Sequence, residues 1–169
     1  MMDVRLREMA QHELSIRRGL RVQRSCPYDD FYINNRRLSD LLKIVDPITP
    51  FGWLGTDQVP KAEVEDRFAR MLLGIEPSDL RPDRIPIFIC GECADYGCGA
   101  TTCRVTLSDN LVEWSHFGCD NNYEEGTHHP DGLLGHHFCF DRESYEKLLN
   151  NYTIKSEQYG AANPGFCLS

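Results

Sequence analysis

Four of the eight cysteines fall between residues 90 and 103, where the sequence reads CGECADYGCGATTC. Zinc prefers four thiolate or imidazole ligands at the corners of a tetrahedron. A C-x2-C turn places two sulfurs on one side of an ion, and a glycine-rich bend lets the chain double back to supply the others. The spacing therefore predicts a zinc site formed by Cys90, Cys93, Cys98 and Cys103.

The spacing C-x2-C-x4-C-x4-C equals that of a zinc knuckle, with Cys98 in place of the usual histidine and Gly97 before it as in that motif. A knuckle that binds RNA surrounds its metal with basic and aromatic side chains. This loop instead contains the acids Glu92 and Asp95, and Tyr96 is its aromatic residue. RNA binding therefore does not follow, even from an occupied site.

Other interpretations of these cysteines remain open. A β-hairpin that turns at Asp109-Asn110 would place Cys103 opposite His116, so either residue could be the fourth ligand. The interpretation that the sequence favours over zinc is that the cysteines are small buried apolar residues at a tight bend between strands. A thioredoxin-like redox role for Cys90 and Cys93 is disfavoured, because that motif opens a helix whereas this loop leads into another strand.

The histidines offer a weaker metal pattern. Four of the six histidines occur as the pairs His128-His129 and His136-His137. Adjacent histidines in a strand point to opposite faces, so each pair offers one ligand to a given site. A second metal site would combine them with Cys119 and Cys139. The favoured interpretation is that they are polar loop and strand residues that titrate near neutrality.

A β-hairpin is predicted to position the cysteine loop and the residues after it. The hairpin spans residues 99–119 and turns at Asp109-Asn110. If these two residues form the turn, the residue numbers of each cross-strand pair sum to 219. The apolar face then carries the pairs Leu107–Val112, Val105–Trp114 and Cys103–His116, and the polar face carries Thr106–Glu113 and Arg104–Ser115.

The remaining segments predict an α+β fold, an antiparallel β-sheet with a central hairpin, flanked by about three helices. Helices are predicted over Arg37–Val45, over Lys61–Leu73 with Gly74 as C-cap, and from Asp141 or Arg142 onward, and a short helix over Met1–Glu13. Strands are predicted as two short pieces in Leu14–Val22 around Arg18-Gly19, in Asp30–Asn34 before a turn at Asn34-Asn35, in Arg84–Cys90 and within Leu133–Asp141. Phe51, Trp53 and Leu54 are predicted to pack inward from a loop.

The length and the net charge of the chain indicate the number of domains and the class of partner. The 169 residues predict one domain, with residues 151–169 as a loosely attached tail. A net charge of −8 repels phosphate backbones, which argues against nucleic acid, and favours a basic protein partner. Residues 120–132 should form an exposed acidic loop. Its predicted partner contacts are Asp120, Glu124, Glu125 and Asp131.

The sequence predicts a cytoplasmic protein. Its N-terminus, MMDVRLREMAQHEL, lacks the uninterrupted apolar region of a secretory signal. The longest apolar stretch, around residues 85–90, is broken by Pro86 and is too short to cross a bilayer, so no membrane partner is expected. In a reducing compartment the cysteines would be thiols or metal ligands.

Four segments resemble a widespread family of uncharacterised bacterial proteins: FYINNRRLSDLL (31–42), IFICGECADYGCGATTCR (87–104), VEWSHFG (112–118) and FCFDRESYEKLL (138–149). That family carries a C-x-E-C-G-D-x-G-C-G-A core, a following strand with tryptophan and an F-x-F-D start to its last helix. Ala94 stands where the family has glycine, and Cys103 is outside its pattern, which weakens the four-cysteine zinc hypothesis. The resemblance implies no biochemical function.

Three functional hypotheses follow, in order. The first is a non-catalytic protein-binding or inhibitor protein, such as an immunity protein that neutralises a basic bacterial toxin. It rests on the small acidic chain, which lacks a G-x-S-x-G nucleophile motif and a phosphate-binding loop. The second is a small zinc-stabilised structural or regulatory domain. The third is a cysteine-dependent redox enzyme.

Overall fold

The computed structural model describes residues 11–21, 26–45, 47–52, 61–90, 93 and 95–159. In this part of the chain, two antiparallel sheets of three and five strands are joined to three α-helices. The predicted α+β class is therefore confirmed. The helix predicted over Met1–Glu13 lies mostly outside the described residues, and residues 11–13 are not helical.

The first sheet contains β1 (Leu14–Arg21), β2 (Cys26–Ile33) and β3 (Arg36–Arg37). Strand β1 pairs with β2 along its whole length, so the two short strands predicted around Arg18-Gly19 are wrong. Arg18 and Gly19 lie inside one continuous ladder, where cross-strand pairing overrides their turn propensity. The turn predicted at Asn34-Asn35 is confirmed, because both residues have positive φ (49° and 66°).

The first two helices lie where they were predicted, but Val45, at the end of the first predicted helix, is 91% exposed and is not part of an apolar face. Helix α1 (Leu38–Leu42) is shorter than predicted because Lys43 takes up a left-handed conformation and ends it. Helix α2 (Lys61–Leu72) ends where Gly74, with φ 69°, reverses the chain as predicted. Phe51 is fully buried as predicted, whereas Trp53 and Leu54 lie outside the described residues.

The second sheet has the spatial order β4 (Pro47–Ile48), β5 (Ile85–Cys90), β6 (Ala100–Leu107), β7 (Leu111–Asp120) and β8 (Phe138–Asp141). Helix α3 (Arg142–Tyr159) begins directly after β8, and the Asp141 carboxylate accepts a hydrogen bond from the Ser144 amide at its start. Residues 151–159, predicted as part of a loose tail, are helical. No helix in the described ranges combines the length and apolar character needed to cross a membrane.

Trp114 lies at the centre of the main hydrophobic core and is fully buried. Its ring contacts Phe31 of the first sheet and Phe140 of the second edge-on, at centroid distances of 5.2 and 5.3 Å. Its indole N–H donates to the Tyr145 hydroxyl (3.2 Å), which donates to the Leu72 carbonyl (3.1 Å). This one side chain therefore connects both sheets with helices α2 and α3.

The β6–β7 ribbon keeps the predicted register near its turn and loses it further away. Leu107–Val112, Val105–Trp114, Thr106–Glu113 and Arg104–Ser115 are all paired as predicted. A β-bulge then shifts the register, so that Thr102 pairs with Gly118. The predicted Cys103–His116 pair is therefore wrong. His116 has φ 53° and is exposed, whereas Cys103 is buried in the core.

Candidate metal centre

Strand β5 carries Cys90 at its end, and the loop that follows is shaped by its own side chains. The Asp95 carboxylate accepts a hydrogen bond from the Gly97 amide (2.8 Å) and caps a short 3-10 turn, Tyr96–Cys98. Gly99 has φ 94°, a conformation that disfavours a side chain, and leads the chain into β6. Gly91, Glu92 and Ala94 lie outside the described residues.

Tyr96 anchors this loop to the sheet. Its ring packs against a small apolar cluster formed by Ile48, Ile89 and Ala100. Burial, together with the charge of Asp79, raises the pKa of Tyr96 to about 12. The hydroxyl therefore stays protonated and donates to the Asp79 carboxylate, which holds the loop close to the surface of the protein.

Three sulfurs converge in the loop. The Sγ atoms of Cys90, Cys93 and Cys98 all lie within 4.8 Å of one another, and those of Cys93 and Cys98 are 3.0 Å apart. Hydrogen bonding with Cys93 and Cys90 favours the protonated thiol and raises the pKa of Cys98 to about 12. A bound divalent cation would reverse this preference, because a coordinating thiol is deprotonated by the metal.

Both residues predicted as a fourth ligand lie elsewhere. Cys103 is fully buried in the main core, where burial raises the pKa of its thiol, and it is not one of the three converging cysteines. His116 is exposed and its ring nitrogen Nδ1 contacts the Ser115 hydroxyl (2.9 Å). The extra residue of the bulge lies in β7 and explains the placement of His116, whereas Cys103 shares the core face of β6 with Val105 and Leu107.

Most residues of the predicted acidic loop are exposed, but its first residue is buried. Glu124, Glu125 and Asp131 are exposed, in agreement with their predicted location. Asp120, also predicted as an exposed partner contact, is instead the last residue of β7, and its side chain is fully buried. The prediction that Asp120 contacts a partner is therefore corrected, because the carboxylate faces the interior of the protein.

The Asp120 carboxylate accepts hydrogen bonds from four side chains. The donors are Arg81 Nε (2.5 Å), Arg84 Nε (2.8 Å), Thr127 Oγ1 (2.9 Å) and Thr102 Oγ1. Burial opposes the charged form, but these hydrogen bonds outweigh it and hold the pKa of Asp120 below its usual range. Sequence reasoning missed both arginines, because nothing in their spacing distinguishes them from solvated surface residues.

The cysteine loop and the acidic loop touch each other. A Cβ atom at Gly97 would lie 2.9 Å from two atoms of the Tyr123 side chain, so a larger residue there would displace the Tyr123 ring. Arg81 fixes the acidic loop by donating hydrogen bonds to the carbonyls of Glu124 (2.6 Å) and Gly126 (3.1 Å). The two sets of residues singled out in the sequence therefore form one continuous surface.

No protein family, curated protein or solved structure matches this chain. The resemblance to uncharacterised bacterial proteins therefore stays a prediction.

Proposed function

We propose that the cysteine loop binds a zinc ion through Cys90, Cys93 and Cys98, and that this ion stabilises a non-catalytic domain. The observation that carries the proposal is the convergence of the three sulfurs within 4.8 Å. Zn–S bonds of about 2.3 Å place the sulfurs of a tetrahedral site roughly 3.8 Å apart. Small side-chain movements would bring the three thiols to that spacing.

The position of the loop supports a framework role for the metal. Cys90 ends β5, and the loop returns to β6, its neighbour in the sheet. An ion held at this connection links the ends of two adjacent strands. Metal binding of this kind contributes directly to folding free energy, because the unfolded chain does not preserve the site.

Metal analysis of the full-length protein, purified without added zinc, tests this proposal. We expect bound zinc that is lost in the Cys90→Ser/Cys98→Ser double variant, with a lower melting temperature. Cys103→Ala is the matched control, since it removes a cysteine of the same segment that is buried in the core. It should retain the zinc even though it loses packing. Equal zinc in the double variant and the wild type would contradict the proposal.

A second function, binding of a basic protein, is supported by the exposed face of the acidic loop. Tyr123 is 79% exposed there, beside the exposed acids Glu124 and Glu125. The Asn121 side chain accepts hydrogen bonds from the amides of Tyr123 (2.9 Å) and Glu124 (2.8 Å), which fixes the loop backbone. An aromatic residue on a preorganised acidic loop suits a basic partner. A toxin neutralised by an immunity protein is one such partner.

Affinity purification from the source cells with matched charge variants tests this second function. Glu124→Gln/Glu125→Gln should release a partner that the wild type retains at low salt. Glu63→Gln/Glu143→Gln makes the same change in net charge at exposed positions on helices α2 and α3, and should retain that partner. A partner held equally by both double variants would argue against recognition by the acidic loop.

A further inference from the structure

A second group of metal-ligating side chains lies on the β7–β8 pair. Glu113 of β7 and Cys139 of β8 are direct cross-strand partners. His137 precedes Cys139 by two residues, and alternation along an extended chain places both on the same face. The sequence drew attention to His137 and Cys139, but it placed Glu113 on the polar face of the hairpin without connecting it to them.

This group is separate from the cysteine loop. The loop leads into Ala100, which pairs with Asp120 at the end of β7. Glu113 lies near the beginning of the same strand, next to the turn. A strand rises about 3.3 Å per residue, so the two sites are roughly 20 Å apart along β7.

The three donor atoms are spaced as ligands of one ion. His137 Nε2 lies 3.7 Å from Cys139 Sγ and 3.9 Å from Glu113 Oε1, and all three atoms lie within 4.8 Å of one another. Tetrahedral zinc with Zn–N, Zn–O and Zn–S bonds of about 2.0 to 2.3 Å holds its ligands roughly 3.3 to 3.8 Å apart. The observed distances require only a small contraction around an ion.

We propose that Glu113, His137 and Cys139 form a second zinc site, with the fourth position open to water. The mixed set of carboxylate, imidazole and thiolate suits Zn²⁺ among the common divalent ions, because the thiolate and the imidazole disfavour Mg²⁺ and Ca²⁺. Cys139 is 2% exposed and forms the floor of the site. The side chains of His137 and Glu113 are 43% and 33% exposed, which leaves a path by which the ion enters.

The simpler alternative is an ion pair between His137 and Glu113. Their contact distance of 3.9 Å is near the limit for such a pair, and both side chains are partly exposed, so the pair would contribute little. It also gives no role to the Cys139 sulfur. Neighbouring histidines are held by other contacts: His136 stacks on Phe138 at 6.0 Å, and His12 Nδ1 accepts the Cys139 amide.

Titration of the metal-free full-length protein with Zn²⁺, and in parallel with Co²⁺ as a spectroscopic probe, tests the second site. We expect two equivalents in the wild type and one in His137→Gln. The affinity of the second equivalent should fall by more than the roughly 10- to 100-fold typical of an outer-shell change, because a direct ligand is lost. His136→Gln is the matched control and should bind two equivalents. His137 is exposed, so its variant is expected to fold.

The charge-transfer band between thiolate and Co²⁺ distinguishes the two sites, because each site contributes different cysteines. In the Cys90→Ser/Cys98→Ser background, bound Co²⁺ should still show a thiolate-to-cobalt charge-transfer band, and Cys139→Ser should remove it. The second site is overturned if His137→Gln binds the same number of equivalents as His136→Gln with unchanged affinity. A wild type that binds one equivalent, which His137→Gln removes and Cys90→Ser/Cys98→Ser does not, would contradict the first zinc proposal and leave this one standing.

Discussion

Asp120 in the second sheet and Asp30 in the first are both buried beside arginine, yet their pKa values move in opposite directions. Burial is the largest effect at each carboxylate and favours the protonated form. At Asp30 the hydrogen bond and the charge of Arg37, with the amide of Phe31, do not offset it, and the pKa is raised. At Asp120 the hydrogen bonds outweigh the effect of burial, and the pKa is lowered.

The difference lies in the number and burial of the donors. Asp120 receives two guanidinium groups and two threonine hydroxyls, and the side chain of Arg84 is only 5% exposed. The Arg37 side chain that faces Asp30 is 35% exposed, so water screens its charge. A buried carboxylate stays charged when its lone pairs are filled by donors that are themselves removed from solvent.

Removal of the Asp120 charge is expected to have the largest effect on stability. Asp120→Asn leaves the buried Arg84 guanidinium without its counter-charge, and breaking a buried pair in this way costs about 3–5 kcal/mol. Asp30→Asn removes a carboxylate that burial already disfavours, so we expect a loss of about 1 kcal/mol or less. Urea unfolding of the three proteins at neutral pH measures both differences.

An exposed aspartate serves as the control for this pair. Asp109 lies at the turn of the β6–β7 ribbon and is exposed, so Asp109→Asn should change the free energy of unfolding by less than about 0.5 kcal/mol. Equal losses for Asp120→Asn and Asp30→Asn would show that burial alone, rather than the set of donors, determines what each carboxylate contributes.

The sequence predicted the regular part of the β6–β7 ribbon but not the buried network around Asp120. The predicted pairs of the β6–β7 ribbon from Leu107 to Arg104 hold because apolar alternation and the turn fix the register. Beyond them the Arg84 Nη2 group donates to the His116 carbonyl (2.6 Å), within the bulge. A buried ion network has no periodicity, so local pattern could not foresee the bulge or the burial of Asp120.

The candidate sites were predictable to a similar extent. Local spacing along the chain identified Cys90, Cys93 and Cys98, which do converge. Cys103 has the same kind of spacing, but it lies inside β6, where strand alternation with Val105 and Leu107 turns its side chain into the core. Glu113 could not be linked to His137, because their proximity arises from the pairing of β7 with β8, which the sequence did not specify.

The pH dependence of stability should differ in sign between the two aspartates. The folded-state pKa of Asp120 lies below the ordinary value of 3.8, so its stabilisation is complete above that value and is lost as the pH falls through the lower folded pKa. The folded-state pKa of Asp30 lies above 3.8, so this group contributes more stability as the pH falls through its raised pKa.

Unfolding curves between about pH 7 and pH 3 separate these contributions. The stability difference between wild type and Asp120→Asn should be largest at neutral pH and should shrink in acid. The free energy of unfolding of the wild type should rise relative to that of Asp30→Asn as the pH falls. Parallel curves for the wild type and the two variants would mean that neither carboxylate changes its pKa on folding.

The smallest expected effect concerns two residues with positive φ, one in β7 and one at the turn between β2 and β3. His116 has φ 53° in the bulge, and its carbonyl, not its exposed side chain, contacts Arg84. His116→Gly should therefore relieve backbone strain and stabilise the protein by about 0.5–1 kcal/mol. Asn34 has φ 49° at the turn between β2 and β3, but its side chain accepts a hydrogen bond from the Glu13 amide (2.7 Å).

Asn34→Gly should therefore destabilise the protein by roughly 0.5–1 kcal/mol, because the lost hydrogen bond outweighs the relief of an angle that asparagine tolerates well. Thermal unfolding at neutral pH distinguishes a gain at His116 from a loss at Asn34. A loss at His116 would mean that the imidazole itself stabilises the bulge. The register shift next to Asp120 would then depend on that side chain as well as on the buried arginine.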